Sequence, residues 1–343
     1  MIRAATANAP LSIGSIELPN PVLLAPMAGI TDAPFRRMAH RFGAGLVISE
    51  MVASEAFASG HSETVLRAEG AGAGIHAVQL AGNQPGPMAE AARLCEAAGA
   101  AIIDINMGCP AKRVTTGLAG SALLRDLDLA TRIIAAVVGA VRVPVTLKTR
   151  LGWDDSALVA PELARRAEAI GVGLVTIHGR TRCQFYTGRA DWTAIRVVKD
   201  AVGVPLIANG DLVRAEDATA MLAQSGADGV MIGRGAQGRP WFPGQVASYL
   251  RSGAVPPDPS LDLQRDVLLE LYEGWLSHYG RELGIRTARK HIGWALEAAA
   301  ETAGRTPEAA RDWRKRLLTL DQPEQVRAGI RAAFEDMSWR AAA

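Results

Sequence analysis

Cysteine and aromatic residues are scarce in this chain, and long apolar runs are absent. The three cysteines, Cys95, Cys109 and Cys183, are widely spaced and form no CxxC pair, which argues against a disulfide framework and against a zinc site. No stretch of about 18 uncharged apolar residues occurs, so we expect no membrane-spanning helix. These absences predict a reduced protein that binds neither a membrane nor a metal ion.

Charge and composition set further limits. The formal net charge is only +2 over 343 residues, so the total charge does not predict a nucleic-acid partner. The first ten residues lack the apolar core of a secretory signal, which together with the free cysteines favours a cytoplasmic protein. We also expect the protein to be a monomer. An apolar fraction of 49% and a charged fraction of 21% are typical of a soluble protein with a large core.

Eight apolar, strand-like runs recur over the first two thirds of the chain, and alanine-rich amphipathic segments separate most of them. The runs cover residues 22–27, 46–49, 75–80, 102–106, 145–150, 174–178, 206–209 and 229–232. Parallel strands need such crossovers, so the pattern predicts an α/β fold, a (β/α)8 TIM barrel over residues 1–252. A doubly wound sheet is the alternative, but the even series and the missing GxGxxG turn count against it.

The pattern changes after residue 252. The proline-rich linker 253–259 cannot continue a helix, and the sequence beyond it has helical periodicity without strands. The predicted helices cover residues 261–279, 286–301, 307–318 and 323–334. We therefore predict a smaller all-helical C-terminal domain at residues 253–343.

Polar residues follow nearly every predicted strand, at the end of the barrel where such folds carry their active sites. Gln79, Asn106, Lys148, Arg150 and His178 stand at the ends of the third to sixth runs. Each has an ordinary alternative, such as a hydrogen-bonded core histidine at position 178. Chance would rarely place a polar group at almost every strand end, so together they predict a site.

The glycine-rich segments after the last two strands predict a phosphate site. Asn209-Gly210-Asp211 and Gly233-Arg234-Gly235 offer close backbone approach and a guanidinium group, although Arg234 alone could be a surface charge. Lys148 would point into the barrel mouth, where a cation could stabilise a reduced flavin or form a Schiff base. The residues alone leave both a flavin enzyme and a Schiff-base lyase open.

Cys109 follows the fourth strand and is held between Gly108 and Pro110, with a basic, glycine-rich loop after it. A thiol on such a loop is placed to meet a ligand. Cys95 lies instead within an apolar helical segment, where a structural thiol is expected to be inert. The alternative for Cys109 is a strand-end cysteine that merely packs.

These segments, taken in order, resemble the tRNA-dihydrouridine synthase family, and most closely its B-like bacterial branch. The matching motifs are LAPMAGITD at 24–32, DINMGCP at 104–110, LAGSAL at 118–123, LKTRLGW at 147–153, TIHGRT at 176–181 and GVMIGRG at 229–235. The resemblance covers nearly the whole chain and thins only in the first ten residues and at 256–263. It implies FMN as cofactor, NADPH (or NADH) as reductant and tRNA as partner.

The resemblance also implies a reaction and a role for each matching residue. It is the reduction of the C5–C6 double bond of a uridine in the tRNA D-loop, with hydride passing from flavin N5 to C6 and a proton from Cys109 to C5. A thiol suits that task because its ordinary pKa of about 8.5 is near working pH. The FMN would be held by Pro26, Met27, Ala28, Gln79, Lys148, His178, Asn209, Gly210, Asp211, Gly233 and Arg234.

Substrate contacts are implied in both predicted domains. Asn106 and Arg150 would orient the uracil, and Arg286, Arg289 and Lys290 of the helical domain would contact tRNA phosphates. The nearest alternative is an FMN barrel that acts on a free pyrimidine, such as a dihydroorotate dehydrogenase-like enzyme, but it would not need the helical domain. A non-catalytic RNA-binding barrel is less consistent with the intact cysteine and lysine positions.

Overall fold

The computed structural model of the chain describes residues 10–70, 72 and 74–339. Residues 1–9, which carry most of the segment that argues against a secretory signal, lie outside the described residues, as do residues 340–343 of the predicted helical domain. Across the described residues, every helix is too short or too polar to span a bilayer. In the same residues, no group of three or more His, Cys, Asp or Glu side chains is placed to hold a metal ion.

Parallel strands in the described part of the chain close into a barrel. They are Val22–Leu24, Leu46–Val47, Ala77–Ala81, Ile102–Met107, Val145–Arg150, Leu174–His178, Leu206–Asn209 and Gly229–Ile232, here called barrel strands one to eight. Strands three to eight pair in chain order, strand eight pairs with strand one, and strand one with strand two. A parallel bridge between Ile48 and Ala77 joins strand two to strand three and closes the ring. The predicted (β/α)8 barrel is confirmed.

A short hairpin closes the N-terminal end of the barrel. Its antiparallel strands, Ser12–Ile13 and Ile16–Glu17, flank Gly14, where a Cβ would lie 3.0 Å from Pro144 Cγ just before strand five. Ile13 is buried in the same apolar cluster as Leu23 inside the barrel. In the described part of the chain, apolar side chains thus fill this end of the barrel.

Strands one and two are shorter than predicted. Strand one ends at Leu24 because Pro26 has no N–H group with which to continue the ladder, and the Met27 N–H donates instead to Thr31 Oγ1 at 2.7 Å. Strand two leaves the sheet after Ile48, and a further short strand, Val52–Ala53, pairs with the end of strand three. Because the chain leaves the sheet early at both places, the residues that follow strands one and two face the barrel mouth.

Helices connect and cover the strands. Before residue 253 the α-helices are Ala33–Arg41, Ser54–Ala58, Ser62–Ala68, Pro85–Ala97, Lys112–Thr115, Leu127–Val138, Ala160–Ile170, Trp192–Lys199, Asp217–Ser225 and Phe242–Ser252, and 3-10 turns span Gly120–Arg125 and Arg234–Ala236. The helix Phe242–Ser252 follows the last barrel strand. Its start contains Pro243, which a first helical turn tolerates because the N–H that proline lacks would have no partner there.

The C-terminal region is helical, as predicted. Its helices are Leu261–Tyr279, Arg281–Thr302, Pro307–Leu317 and Pro323–Trp339. The second helix begins five residues earlier than predicted, because Gly280, with φ of 75°, reverses the chain in a single residue.

The helical region packs against the barrel beside its mouth. Asp32 caps helix Ala33–Arg41 and accepts hydrogen bonds from Trp275 Nε1 at 3.1 Å and Tyr279 OH at 3.2 Å. Burial, with the negative charge of Glu50 acting in the same direction, raises the pKa of Asp32 to about 6. One continuous apolar cluster contains buried residues of both regions. The helical region is therefore held in a fixed position relative to the mouth.

Candidate active site

A cavity of about 650 Å³ opens where the barrel strands end, a size typical of cofactor and small-molecule sites. Every barrel residue predicted for the site lies in its wall: Pro26, Met27, Ala28, Gln79, Asn106, Cys109, Lys148, Arg150, His178, Asn209, Gly210, Asp211, Gly233 and Arg234. Residues that are distant in sequence meet here because parallel strands bring their carboxyl ends to one rim.

A chain of hydrogen bonds between buried side chains runs beneath the cavity. Thr146 Oγ1 and Gln79 Nε2 donate to the two carboxylate oxygens of Asp104 at 2.6 and 2.7 Å. Gln79 Oε1 accepts from Asn106 Nδ2 at 2.7 Å, and Asn106 Oδ1 accepts from the Cys109 N–H at 2.9 Å. This chain of hydrogen bonds thus links the backbone of Cys109 to a carboxylate inside the sheet.

Asp104 is a site residue that sequence reasoning missed. Burial raises its pKa, while the hydrogen bonds from Thr146 and Gln79 and the charge of Lys148 oppose that rise. The sequence feature that could have identified it is a carboxylate in a strand of β-branched residues, where a buried ionisable side chain is rare unless it is paired.

Cys109 lies half-buried in the cavity wall. Ser121 fixes its backbone from the other side, because its Oγ donates to the Cys109 carbonyl at 2.8 Å. Cys95 differs: it is buried in helix Pro85–Ala97, and burial raises the pKa of its thiol to about 12. The cysteine in the cavity wall can reach a ligand, and the one in the helix cannot.

Lys148 points into the cavity from strand five, next to Asn106 in the strand register. Burial and the charge of Arg150 lower its pKa to about 8, although Asp104 and Cys109 act in the opposite direction. Within the described residues, its ammonium group has no hydrogen bond or ion pair. The group is mostly protonated at pH 7 and is available to negative charge on a ligand.

Arg150 ties the cysteine loop to the loop after strand six. Its Nε donates to the Gly108 carbonyl at 2.9 Å, and its Nη1 donates to the carbonyls of Thr181 and Phe185 at 2.9 and 2.8 Å. Burial lowers the pKa of Arg150 to about 10, so the side chain stays charged at neutral pH. The residue predicted to orient uracil therefore also fixes two loops of the cavity wall.

His178 is neutral at physiological pH. Burial is the first cause, and the charges of Arg150, Lys148, Arg180 and Arg234 add to it, so that its pKa lies well below its ordinary value. Three of these four cations, Lys148, Arg150 and Arg234, line the cavity, which therefore attracts anionic groups.

Asp211 anchors two of these arginines. Arg180 Nη1 and Nη2 donate to its two carboxylate oxygens at 2.9 and 2.6 Å, and Arg234 Nη2 donates at 3.2 Å. Burial raises the pKa of Asp211, but the hydrogen bonds from Arg180 and from the Ala190 N–H outweigh burial and hold the pKa below its ordinary value. Since the carboxylate is committed to arginines, Asp211 can offer a phosphate only its backbone.

The segments after strands seven and eight offer backbone N–H groups. Gly210 has φ of 123°, and a Cβ there would lie 2.6 Å from Ala190 Cβ, so only glycine fits. Within the described residues, no group accepts a hydrogen bond from the N–H of Gly233, Arg234 or Gly235. Unpaired N–H groups beside a guanidinium are suited to an anionic phosphate.

Two aromatic residues in the cavity wall also escaped sequence reasoning. Phe185 and Tyr186 lie on the loop after strand six, and the Tyr186 ring is 6.3 Å from the His178 ring. Phe185 has φ of 53°, a strained conformation for a residue with a side chain, and Arg150 holds its carbonyl. The sequence feature that could have identified them is two adjacent aromatic residues in the loop after a strand, in a chain where only 5% of residues are aromatic.

The helical region brings a basic face to the side of the mouth. Arg286, Arg289 and Lys290 are three and four residues apart on helix Arg281–Thr302 and so share a face. A Cβ on Gly29, after strand one, would lie 3.1 Å from Lys290 Nζ. Arg286 is exposed and Arg289 is half-buried. None of the three side chains lines the cavity, but Lys290 approaches the loop after strand one, and Arg286 and Arg289 share its helix face.

Several other basic residues of the helical region are paired with acids. The pairs are Arg314–Glu297, Arg311–Glu308 and Lys315–Asp312. Exposed pairs of this kind add little stability, but they reduce the positive charge that this part of the region presents.

Comparison with known proteins identifies the family. Residues 23–336 match the sequence profile of the family described as Dihydrouridine synthase (Dus). A protein of Rhodobacter capsulatus named "Probable tRNA-dihydrouridine synthase" is 54% identical over 95% of this chain and 98% of its own length. A protein of Rhizobium leguminosarum bv. phaseoli with the same name is 52% identical over 92% of this chain and 96% of its own. "tRNA-dihydrouridine synthase B" of Xanthomonas axonopodis pv. citri is 45% identical over 95% and 99%.

A solved structure supports the fold. The one described as "X-structure of a variant of NCR from zymomonas mobilis" aligns with a TM-score of 0.50 and 18% identity, over 75% of this chain and 94% of that chain. The resemblance predicted from the motifs is confirmed by the family profile and by the relatives. The chain belongs to the dihydrouridine synthase family.

Proposed function

We propose that this chain is a tRNA-dihydrouridine synthase that uses FMN to reduce the C5–C6 double bond of a D-loop uridine, with NADPH as reductant. One observation carries the proposal: the Cys109 thiol stands in the wall of a cation-rich cavity of about 650 Å³ at the barrel mouth. Relatives named for this activity match almost the full length of the chain.

The cavity residues fit FMN. The unpaired N–H groups of Gly233, Arg234 and Gly235, with the Arg234 guanidinium, would hold the phosphate. Gln79 and Lys148 would serve the polar pyrimidine edge of the ring, while residues 26–28 would offer an apolar surface. When bound, FMN would supply the hydride that adds to uracil C6, and NADPH would restore its reduced state.

Residues of the chain would supply the proton and the orientation. Cys109 would donate a proton to uracil C5, and the hydrogen bond from its backbone to Asn106 holds it at the cavity wall. Lys148, which is unpaired and mostly protonated, would stabilise negative charge on the cofactor ring. Asn106 and Arg150 would face the uracil from strands four and five.

The substrate must reach into the barrel. A uridine in a folded tRNA has to leave its stack before its C5 can approach Cys109, which lies in the cavity wall. Arg286, Arg289 and Lys290 would then contact tRNA phosphates beside the mouth. NADPH would use the same cavity in alternation with the uridine. The cytoplasmic location and the monomeric state stay predictions.

The proposal is tested with the purified protein and tRNA from a strain that lacks dihydrouridine. The protein should show a flavin absorption spectrum, and NADPH with tRNA should yield dihydrouridine, detected by mass spectrometry of the digested RNA. Reduction of a free pyrimidine without reduction of tRNA would support the dihydroorotate dehydrogenase-like alternative. A colourless protein whose Lys148 is trapped by borohydride would indicate Schiff-base chemistry.

A further inference from the structure

Guanidinium groups and aromatic rings form one packed series that begins in the cavity wall and extends beyond it. We name this series the arginine–aromatic ladder, and its members are Arg125, Trp153, Arg182, Phe185, Tyr186 and Arg234. The Cζ atoms of Arg125 and Arg182 lie 5.0 and 4.8 Å from the Trp153 ring centre, and Arg182 Cζ lies 4.9 Å from that of Phe185. The rings of Phe185 and Tyr186 meet edge to face at 6.4 Å, and Arg234 Cζ lies 4.9 Å from the Tyr186 centre.

The backbone of the fold holds the ladder in place. The Arg182 N–H donates to the Gly152 carbonyl at 2.9 Å, and the Cys183 N–H donates to the Trp153 carbonyl at 2.9 Å. These bonds join the loop after strand five to the loop after strand six. The ladder is therefore a built surface rather than a chance contact between long side chains.

Charge and exposure indicate what the ladder can bind. Within the described residues, no acidic side chain forms an ion pair with Arg125 or Arg182, and Arg182 Nε is buried without a partner. Arg125 is exposed, and Tyr186 keeps 50% of its surface in solvent. Free guanidinium groups beside an exposed ring suit a ligand that combines phosphates with flat bases, which is single-stranded nucleic acid.

The Trp153 end of the ladder lies across the cavity from the helical region. Strand one carries the loop that Lys290 approaches, and strand five, which leads to Trp153, is four places away in a ring of eight. We propose that the ladder is a second RNA-contact surface, where Tyr186 stacks a base that neighbours the target uridine and Arg125 and Arg182 bind adjacent phosphates. The proposal rests on the proposed function, because it takes tRNA as the substrate.

The first test removes two charges from the ladder. Arg125→Gln with Arg182→Gln should raise the KM for dihydrouridine-free tRNA on the order of ten-fold and reduce the slope of log binding constant against log salt by roughly 1.4–1.8. Neither residue lines the cavity, so flavin reduction by NADPH should stay near wild type. The matched control is Arg132→Gln with Arg142→Gln, which removes two exposed charges from outside the rim.

The second test concerns the ring. Tyr186→Leu should raise the KM for tRNA by ~5- to 100-fold, while Tyr186→Phe, which keeps the ring, should stay close to wild type. The proposal would be overturned if the double arginine variant had the same KM for tRNA as the control variant. It would also be overturned if only the KM for NADPH rose. Wild-type protein that forms no dihydrouridine would refute the proposed function instead. If the double variant unfolds, Arg125→Gln alone replaces it, because position 125 is exposed. That single variant should show about half the change in the slope of log binding constant against log salt.

Discussion

The barrel mouth and the helical region hold their charged side chains in different ways. At the mouth, Arg150 and Arg180 are buried and donate to several backbone carbonyls, and Arg180 also donates to Asp211. In the helical region, Arg311 and Lys315 are exposed and pair with acids only one turn away. A buried group with several bonds keeps its position when a ligand arrives, whereas an exposed pair exchanges partners readily. The mouth is thus preorganised for chemistry, and the helical surface is adaptable.

The largest effect is expected where the mouth meets the substrate. Cys109→Ala should leave FMN binding and flavin reduction by NADPH almost intact, because neither step needs the thiol proton. Reoxidation of the reduced flavin by tRNA should slow by ~10²–10⁴-fold, the usual contribution of a general acid. Rapid mixing with tRNA measures this rate, and Cys95→Ala, which changes a buried thiol in a helix, is the control. A fast Cys109→Ala enzyme would remove the thiol from the mechanism.

The second effect concerns the phosphate end of the mouth. Arg234→Ala should weaken FMN binding by ~10- to 100-fold, since a hydrogen bond to a charged group contributes about 1.5–3 kcal/mol. The dissociation constant is measured by titrating flavin-free protein with FMN. Arg214→Ala removes an exposed arginine from the loop after strand seven and should change it little. Equal losses in both variants would show that overall charge, rather than the Arg234 contact, retains the cofactor.

A third, smaller effect tests the helical side of the comparison. Arg289→Ala with Lys290→Ala should weaken tRNA binding on the order of ten-fold and flatten its salt dependence by roughly one unit per lost contact. Arg311→Ala with Lys315→Ala removes the same charge from residues already paired with acids and should have less effect. If the second pair weakens binding as much as the first, tRNA contacts the whole basic stretch rather than the face beside the mouth.

The last effect, a shift of only a few degrees in melting temperature, lies at the junction of the two regions. The pKa of Asp32 is raised from 3.8 to about 6, so the folded chain binds a proton more tightly than the unfolded chain. This group therefore favours folding at low pH, and its contribution, roughly 3 kcal/mol, is lost as the pH rises from about 4 to about 6. Asp32→Asn should match wild type in melting temperature near pH 4 and exceed it by a few degrees at pH 7.5.

The control for this prediction is another helix cap. Asp126 accepts a hydrogen bond from the Leu129 N–H at the start of helix Leu127–Val138 but is exposed. Asp126→Asn makes the same chemical change at an exposed cap and is the variant against which the Asp32→Asn profile is compared. An Asp32→Asn profile parallel to that of wild type would mean that Asp32 titrates alike in the folded and unfolded chains.

The strand-end residues could be predicted because the barrel itself brings them together. Once eight parallel strands are recognised, Gln79, Lys148 and His178 have to meet at one rim, whatever the loops do. The ties made by Arg150 could not be foreseen, because its acceptors are carbonyls of two loops whose conformation depends on tertiary contacts. Lys290 approaches the loop after strand one because of how the helical region packs on the barrel, and helical periodicity carries no such information.

The chain of hydrogen bonds from Asp104 to the cysteine loop has a direction. A side-chain amide can turn over in place and exchange donor for acceptor, so Gln79 and Asn106 in series could run either way. Both oxygens of Asp104 accept, which fixes the Gln79 NH2 toward Asp104 and leaves the Asn106 oxygen for the Cys109 N–H. The N–H groups of Gly108 and Cys109, which can only donate, both bond the Asn106 oxygen and fix the same direction from the other end. An amide at position 104 could turn its NH2 group toward Gln79, and the reversed chain would then place the Asn106 NH2 group against these two N–H groups.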